Sequence, residues 1–169
     1  MTYERFEDLP VWKAAMRLGI EIYALTNDSA FRTDGDLRDQ VRRAVLSISN
    51  NIAEGFERGS TAELLMFLYI ARGSAGEVRS MLHFCSAWPA IAHLKSQISN
   101  LKSQSEAVSR QIRGWTNSLQ NSDIKGQRHL NDQTKQTFDQ RRRALAFEKQ
   151  LDEMVQENLK IRDGNTDAD

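Results

Sequence analysis

This chain is poor in cysteine, proline and charge of a single sign. It has one cysteine and two prolines in 169 residues, and its 23 Lys and Arg balance its 23 Asp and Glu. A lone Cys85 excludes an internal disulfide, so packing must hold the fold, and a buried thiol in a reducing compartment is its expected state. Zero net charge removes the global electrostatic signature of a nucleic-acid, membrane or acidic-substrate binder, and it favours self-association. The longest apolar run, LLMFLYIA, is far short of a membrane span, and MTYERFEDLP carries no apolar leader segment. The expected location is cytoplasmic, with no membrane partner.

Alternating β patterns are almost absent, and the prolines fall where helices should begin or end, Pro10 near the start of the first and Pro89 after the third. The reading is all-α. Helix one spans Leu9 to Thr26 and is apolar on two faces. Leu9, Trp12, Met16, Ile20 and Tyr23 form one, and Val11, Ala15, Leu18, Ile22 and Leu25 the other. One face fills a core and the second wants another partner. Helix two, Asp36 to Glu54, turns Leu37, Val41, Ala44, Val45, Ile48 and Ile52 inward. Helix three opens on the capping box Ser60-Thr61-Ala62-Glu63, in which hydroxyl and carboxylate are expected to satisfy each other's free backbone N–H groups, and runs to Trp88. Helix four steps four, three, four, three through Leu94, Ile98, Leu101, Ser105, Val108, Ile112, Trp115 and Leu119, a bundle seam broken only by Ser105. Within it LKSQISNLKSQ repeats at the heptad period.

These elements predict an antiparallel up-down-up-down four-helix bundle over residues 1–120, followed at 121–169 by a polar linker and a charged amphipathic helical tail. In the tail Phe138, Leu145, Phe147, Leu151, Met154 and Leu159 return at helical spacing. Lys125 to Lys149 holds seven basic and three acidic residues, and Gln150 to Asp169 two basic and six acidic, a split that suits pairing with itself or a neighbouring copy.

The stretch SISNNIAEGFERGS is odd for a helix that needs only a core. At about 100° per residue, Gln40, Arg43, Ser47, Asn50, Asn51 and Glu54 gather in one sector beside the apolar stripe, a position expected to be half buried. Ser74 and Glu77 share a face of helix three beside Gly73 and Gly76. A helical glycine costs about 1 kcal/mol against alanine, so these two suggest a close approach by the backbone of helix two. Gln40, Ser47, Asn51, Glu54, Ser74 and Glu77 are then expected to form a structural polar network that fixes the bundle's register.

No chemistry-bearing motif competes with that reading. Glu54 and Glu77 as paired catalytic carboxylates lack a pocket with further reactive groups, so no enzymatic activity is expected. His83 and Cys85 point to different faces of one helix, and neither His93 nor His129 completes a zinc spacing, so no metal or other cofactor is expected. Arginines are the one alternative. Arg38 with Arg42, Arg72 with Arg79, and Arg110 with Arg113 share helix faces, and such stripes contact phosphates when an assembly repeats them. Such stripes are more often a solvated face with nearby acids such as Asp34, Asp36 and Asp39, and a protein-protein interaction scaffold without nucleic-acid binding is the rival function.

The pattern Q-V-R-R-A-V-x-S-I-x-x-N-I-A-E-G-F-x-R, followed by E-x-x-x-F-L-x-I-A-R-G-S-A-x-E-V, resembles the four-helix-bundle proteins named for 23S rRNA intervening sequences. That family is similar to the accessory variability proteins of diversity-generating retroelements. The resemblance covers Phe6 to Leu119 and places Gln40, Ser47, Asn51, Glu54, Gly55, Ala71, Gly73, Ser74 and Glu77 on the family pattern. It implies an antiparallel bundle assembled as a homopentamer without known enzymatic activity, some retroelement relatives forming a basic barrel for nucleic acid (RNA or DNA) and a reverse transcriptase. The SQISNLKSQ tract and the segment after Asn121 depart from the pattern.

Because the tail reads as an addition to the bundle, a 1–120 fragment is expected to fold and assemble alone. Circular dichroism and light scattering check this, and an unfolded fragment would make the tail part of the core.

Overall fold

The computed structural model describes residues 3–32 and 35–121, together with Gln140, Arg143, Ala144, Ala146 and Phe147. The chain divides into two units, Met1–Arg128 and His129–Asp169. In the second, the five described residues are helical and exposed. The polar linker, the tail's charge split and its remaining apolar residues lie outside the described residues.

Four helices build the first unit: α1, Pro10–Leu25; α2, Gly35–Glu57; α3, Thr61–Ala87; and α4, Lys95–Gln120. No strand element occurs among the described residues, and no helix there is long and apolar enough to cross a membrane. Neighbours in the bundle are α1–α2, α2–α3, α3–α4 and α4–α1, a closed four-helix circuit. Cross-helix contacts show that adjacent helices run antiparallel. The Arg42 guanidinium lies over the Tyr23 ring while Gly19 faces Val45, and Ser105 meets Ala75 while Gln120 meets Tyr69.

Each helix starts and stops for a local reason. Pro10 opens α1 directly after Leu9, where a missing N–H costs nothing. Thr26 ends it, its hydroxyl donating to the Ile22 carbonyl at 2.8 Å. The capping box of α3 is present with a different wiring. The Glu63 N–H donates to Ser60 Oγ at 3.3 Å, and the Ser60 hydroxyl itself donates to Glu63 Oε2 at 2.7 Å instead of the carboxylate taking the Ser60 N–H. A 3-10 helix, Pro89–Leu94, turns the chain into α4. At that end of the bundle Asp28 accepts from the Ala30 N–H and pairs with His93 Nε2 at 3.1 Å. Those contacts, the Ala30 N–H first, hold the Asp28 carboxyl below its ordinary pKa, so their stabilisation is present above that ordinary value and is lost as pH falls through the depressed one.

The core follows the expected periodicities. Val11, Ala15, Leu18, Ile22 and Leu25 of α1 are buried, with Val41, Val45, Ile48 and Ile52 of α2 and Ile98, Leu101, Val108 and Ile112 of α4. Ser105, the polar break in the α4 seam, is completely buried and donates to the Ala75 carbonyl of α3 at 2.8 Å. The second face of α1 is only half used. Leu9 is buried and Trp12 and Met16 partly so, but Ile20 remains 66% exposed.

Two expectations about glycine are corrected. Helix two was expected to end at Glu54, yet α2 continues through Gly55 to Glu57. The close approach expected at Gly73 and Gly76 is not there, since a Cβ built on either meets nothing within 4 Å. It is at Gly55, where a Cβ would lie 2.8 Å from Phe67 Cβ and 3.2 Å from Leu64 Cδ1. A glycine there lets α2 and α3 touch near their connection.

Gly55→Ala therefore sets a gain of about 1 kcal/mol in helix propensity against overpacking of about 1–3 kcal/mol. The expected net effect is a lower thermal midpoint; an unchanged or raised midpoint would show that the crossing yields at little cost.

Candidate functional site

The α2–α3 seam carries a hydrogen-bond relay. Asn51 Nδ2 donates to the Ser47 carbonyl at 2.7 Å and to Ser47 Oγ at 3.0 Å, and Ser74 Oγ donates to the Ile70 carbonyl at 3.1 Å. The two serine oxygens are 2.9 Å apart. Either hydroxyl can be the donor between them. Asn51, Ser47, Ser74 and the Ile70 carbonyl are thus joined in one relay, each bond polarising the next. Small side chains are required, because Ser74 is buried and Ser47 half-buried.

The rest of the expected network is not drawn in. Glu54 is exposed and pairs with Arg58 Nη2 at 2.6 Å, one turn along its own helix, and Arg58 also lies over the Phe67 ring at 5.2 Å. Gln40 and Glu77 are exposed and, among the described residues, make no hydrogen bond; with Arg43, Ser47, Ser80 and Met81 they line an open groove of about 440 Å³. The polar sector was expected to be half buried throughout. Only Ser47 and Asn51 are, because α3 crosses beside them while Gln40, Arg43, Asn50 and Glu54 turn outward.

The six arginines separate into two sets. Arg42 is occupied within the subunit, donating from Nε to Thr26 Oγ1 at 2.8 Å and from Nη2 to Asn27 Oδ1 at 2.9 Å, with its guanidinium 4.7 Å from the Tyr23 ring centre. It clamps the end of α1 to α2. Arg38 pairs with Asp39 at 3.0 Å and holds that carboxyl below its usual range. Arg72, Arg79, Arg110 and Arg113, by contrast, line one groove of about 370 Å³ with Ser109 and Glu106. Arg72 is steadied by the Tyr69 ring at 5.5 Å, and Arg110 by Glu106 at 2.9 Å. Four arginines and one glutamate line it, so a chain of zero net charge presents a locally basic groove.

Among the described residues no group of three or more His, Cys, Asp or Glu is placed to hold a metal ion, and Cys85 is buried. Sequence reasoning treated Ser105 as a flaw in a seam. Its signal was available, since a lone hydroxyl at a core heptad position needs an acceptor across the interface.

Fold and grooves together define a helical-bundle protein with a polar α2–α3 seam and a basic α3–α4 groove. The model of the 23S rRNA-intervening sequence protein family matches residues 7–114, which contain both, and the chain belongs to that family. No curated protein matches it in sequence.

Replacing Asn51 by Leu removes the first donor of the relay at a half-buried site and is expected to cost about 1–2 kcal/mol. Urea unfolding checks the value; an unchanged midpoint would show the relay to be ornamental to stability.

Proposed function

We propose that this chain is a non-enzymatic, homo-oligomeric cytoplasmic bundle that binds nucleic acid along the α3–α4 groove. The observation that carries the reading is the convergence of Arg72, Arg79, Arg110 and Arg113 on one groove with a single acidic neighbour. Guanidiniums at that density attract a phosphate backbone through counterion release without reading bases, so binding would be sequence-tolerant and steeply salt-dependent. Assembly multiplies it, because each further copy adds the same groove. A homopentamer is the number that the family resemblance implies, and a retroelement-accessory role beside a reverse transcriptase is the use it implies. Glu54 tied to Arg58 supports a structural rather than catalytic part for that carboxylate.

The rival reading, a protein scaffold, is favoured by a different observation, the exposed apolar side chains Met66, Ile70 and Phe84 on α3. Titration of single-stranded RNA and DNA separates the two. With four phosphate contacts per subunit, affinity should fall about fifty-fold between roughly 50 and 200 mM salt. Arg72→Glu with Arg79→Glu should abolish binding at the low-salt end, whereas Arg38→Glu should leave it nearly intact. Absence of binding at low salt, or binding indifferent to salt, would favour the scaffold.

A further inference from the structure

Among the described residues the bundle leaves two unlike apolar ridges exposed. The first lies along α1 and α2. Gly19 facing Val45 and Tyr23 beneath Arg42 fix the pairing of these helices, which puts Leu46, one turn on from Arg42, on the side of Ile20. Ile20 is 66% exposed, Leu46 40% and Tyr23 37%. The second runs along α3, where Met66, Ile70, Gly73, Glu77 and Phe84 recur at helical spacing and Met66, Ile70 and Phe84 are each about half exposed. Between the ridges stands the outward polar face of α2, with Gln40, Arg43, Asn50 and Glu54.

Gly73 interrupts the second ridge without serving the subunit. It lies inside a 27-residue helix, where glycine is costly, and its missing Cβ leaves open space in place of a tight contact. The α3 ridge therefore has a notch between Ile70 and Phe84, and the α1 ridge has a projecting side chain in Ile20. Charges on the two ridges are also opposite. Lys13 sits two turns before Ile20 and Glu77 one turn after Gly73, both exposed and, among the described residues, without an ion-pair partner.

A two-fold interface is self-complementary, whereas two unlike patches on different sides of a subunit join head to tail, a contact that closes into a ring when the rotation between copies closes. We propose that the Ile20–Tyr23–Leu46 ridge of one copy docks on the Met66–Ile70–Phe84 ridge of the next, Ile20 seating over Gly73 and Lys13 approaching Glu77. This rests on the homo-oligomer reading above and names the faces it uses.

Mixing complementary variants of the full chain tests it. Ile20→Glu disables the first ridge. Gly73→Leu fills the notch of the second, and Met66→Lys gives an independent lesion there; all three sites are exposed or open, so circular dichroism should report the parent's helicity. Light scattering should show an assembled parent and each variant monomeric alone. An equimolar mixture of Ile20→Glu with Gly73→Leu, or with Met66→Lys, should form a dimer and stop there, because each partner keeps one intact ridge and the two are complementary. Variants that assemble like the parent, or mixtures that stay monomeric, would overturn the head-to-tail pairing while leaving oligomerisation standing. A monomeric parent would overturn the oligomer reading itself and assign the ridges to a different partner.

Discussion

The direct contact of α2 with α3 at Gly55 constrains the rest of the bundle. With no Cβ to hold them apart, the helices meet where Phe67 and Leu64 lean over the glycine, and α3 can take only a narrow range of rotations and shifts. About two turns along α3 from Phe67, its register brings Ser74 opposite Ser47 at hydrogen-bond distance. A hydrogen bond between two short side chains tolerates little slippage, so the contact near the start of α3 and the relay at its middle together fix α3 on α2.

Function is downstream of that rotation. The face of α3 opposite α2 carries the Ala75 carbonyl, which accepts from Ser105, and so α4 is set by the same element that α2 sets. Gln120 donating to the Tyr69 hydroxyl at 2.7 Å holds the far end of α4 in the same alignment. Arg72 and Arg79 then face Arg110 and Arg113 across the groove, and the outward edge of α3 is left to Met66, Ile70, Gly73 and Phe84. One helix thus presents a basic side and an apolar side, the two surfaces that the proposed nucleic-acid binding and the proposed subunit contacts would use.

Much of this was legible in the sequence, for identifiable reasons. Helix existence and the core were written in the apolar period, as the buried Val41, Val45, Ile48 and Ile52 show, and Ser60 with Glu63 marked a helix start. Glycine was less legible because it has several causes. Gly55 reads like a helix end and is a crossing point, while Gly73 reads like a crossing point and faces open space. Polar networks and basic grooves depend on rotations between helices, which no single helical wheel contains. Ser47 and Ser74 were expected only to share one network and lie 2.9 Å apart, while Glu54 turns to Arg58, and Arg42 to Thr26 and Asn27.

The register of α3 on α2 is the central claim, and a disulfide trap measures it most directly. With Ser47→Cys and Ser74→Cys in the same chain, oxygens now 2.9 Å apart become sulfurs placed to bond, while Cys85 is buried elsewhere on α3. Mild oxidation should close an intrachain bridge nearly quantitatively and raise the thermal midpoint, and a control pair using a position two residues away on the α4 side of α3, Ser47→Cys with Arg72→Cys, should stay open. Failure of the first pair to close, or equal closure of both, would contradict the register on which the groove and the ridges depend.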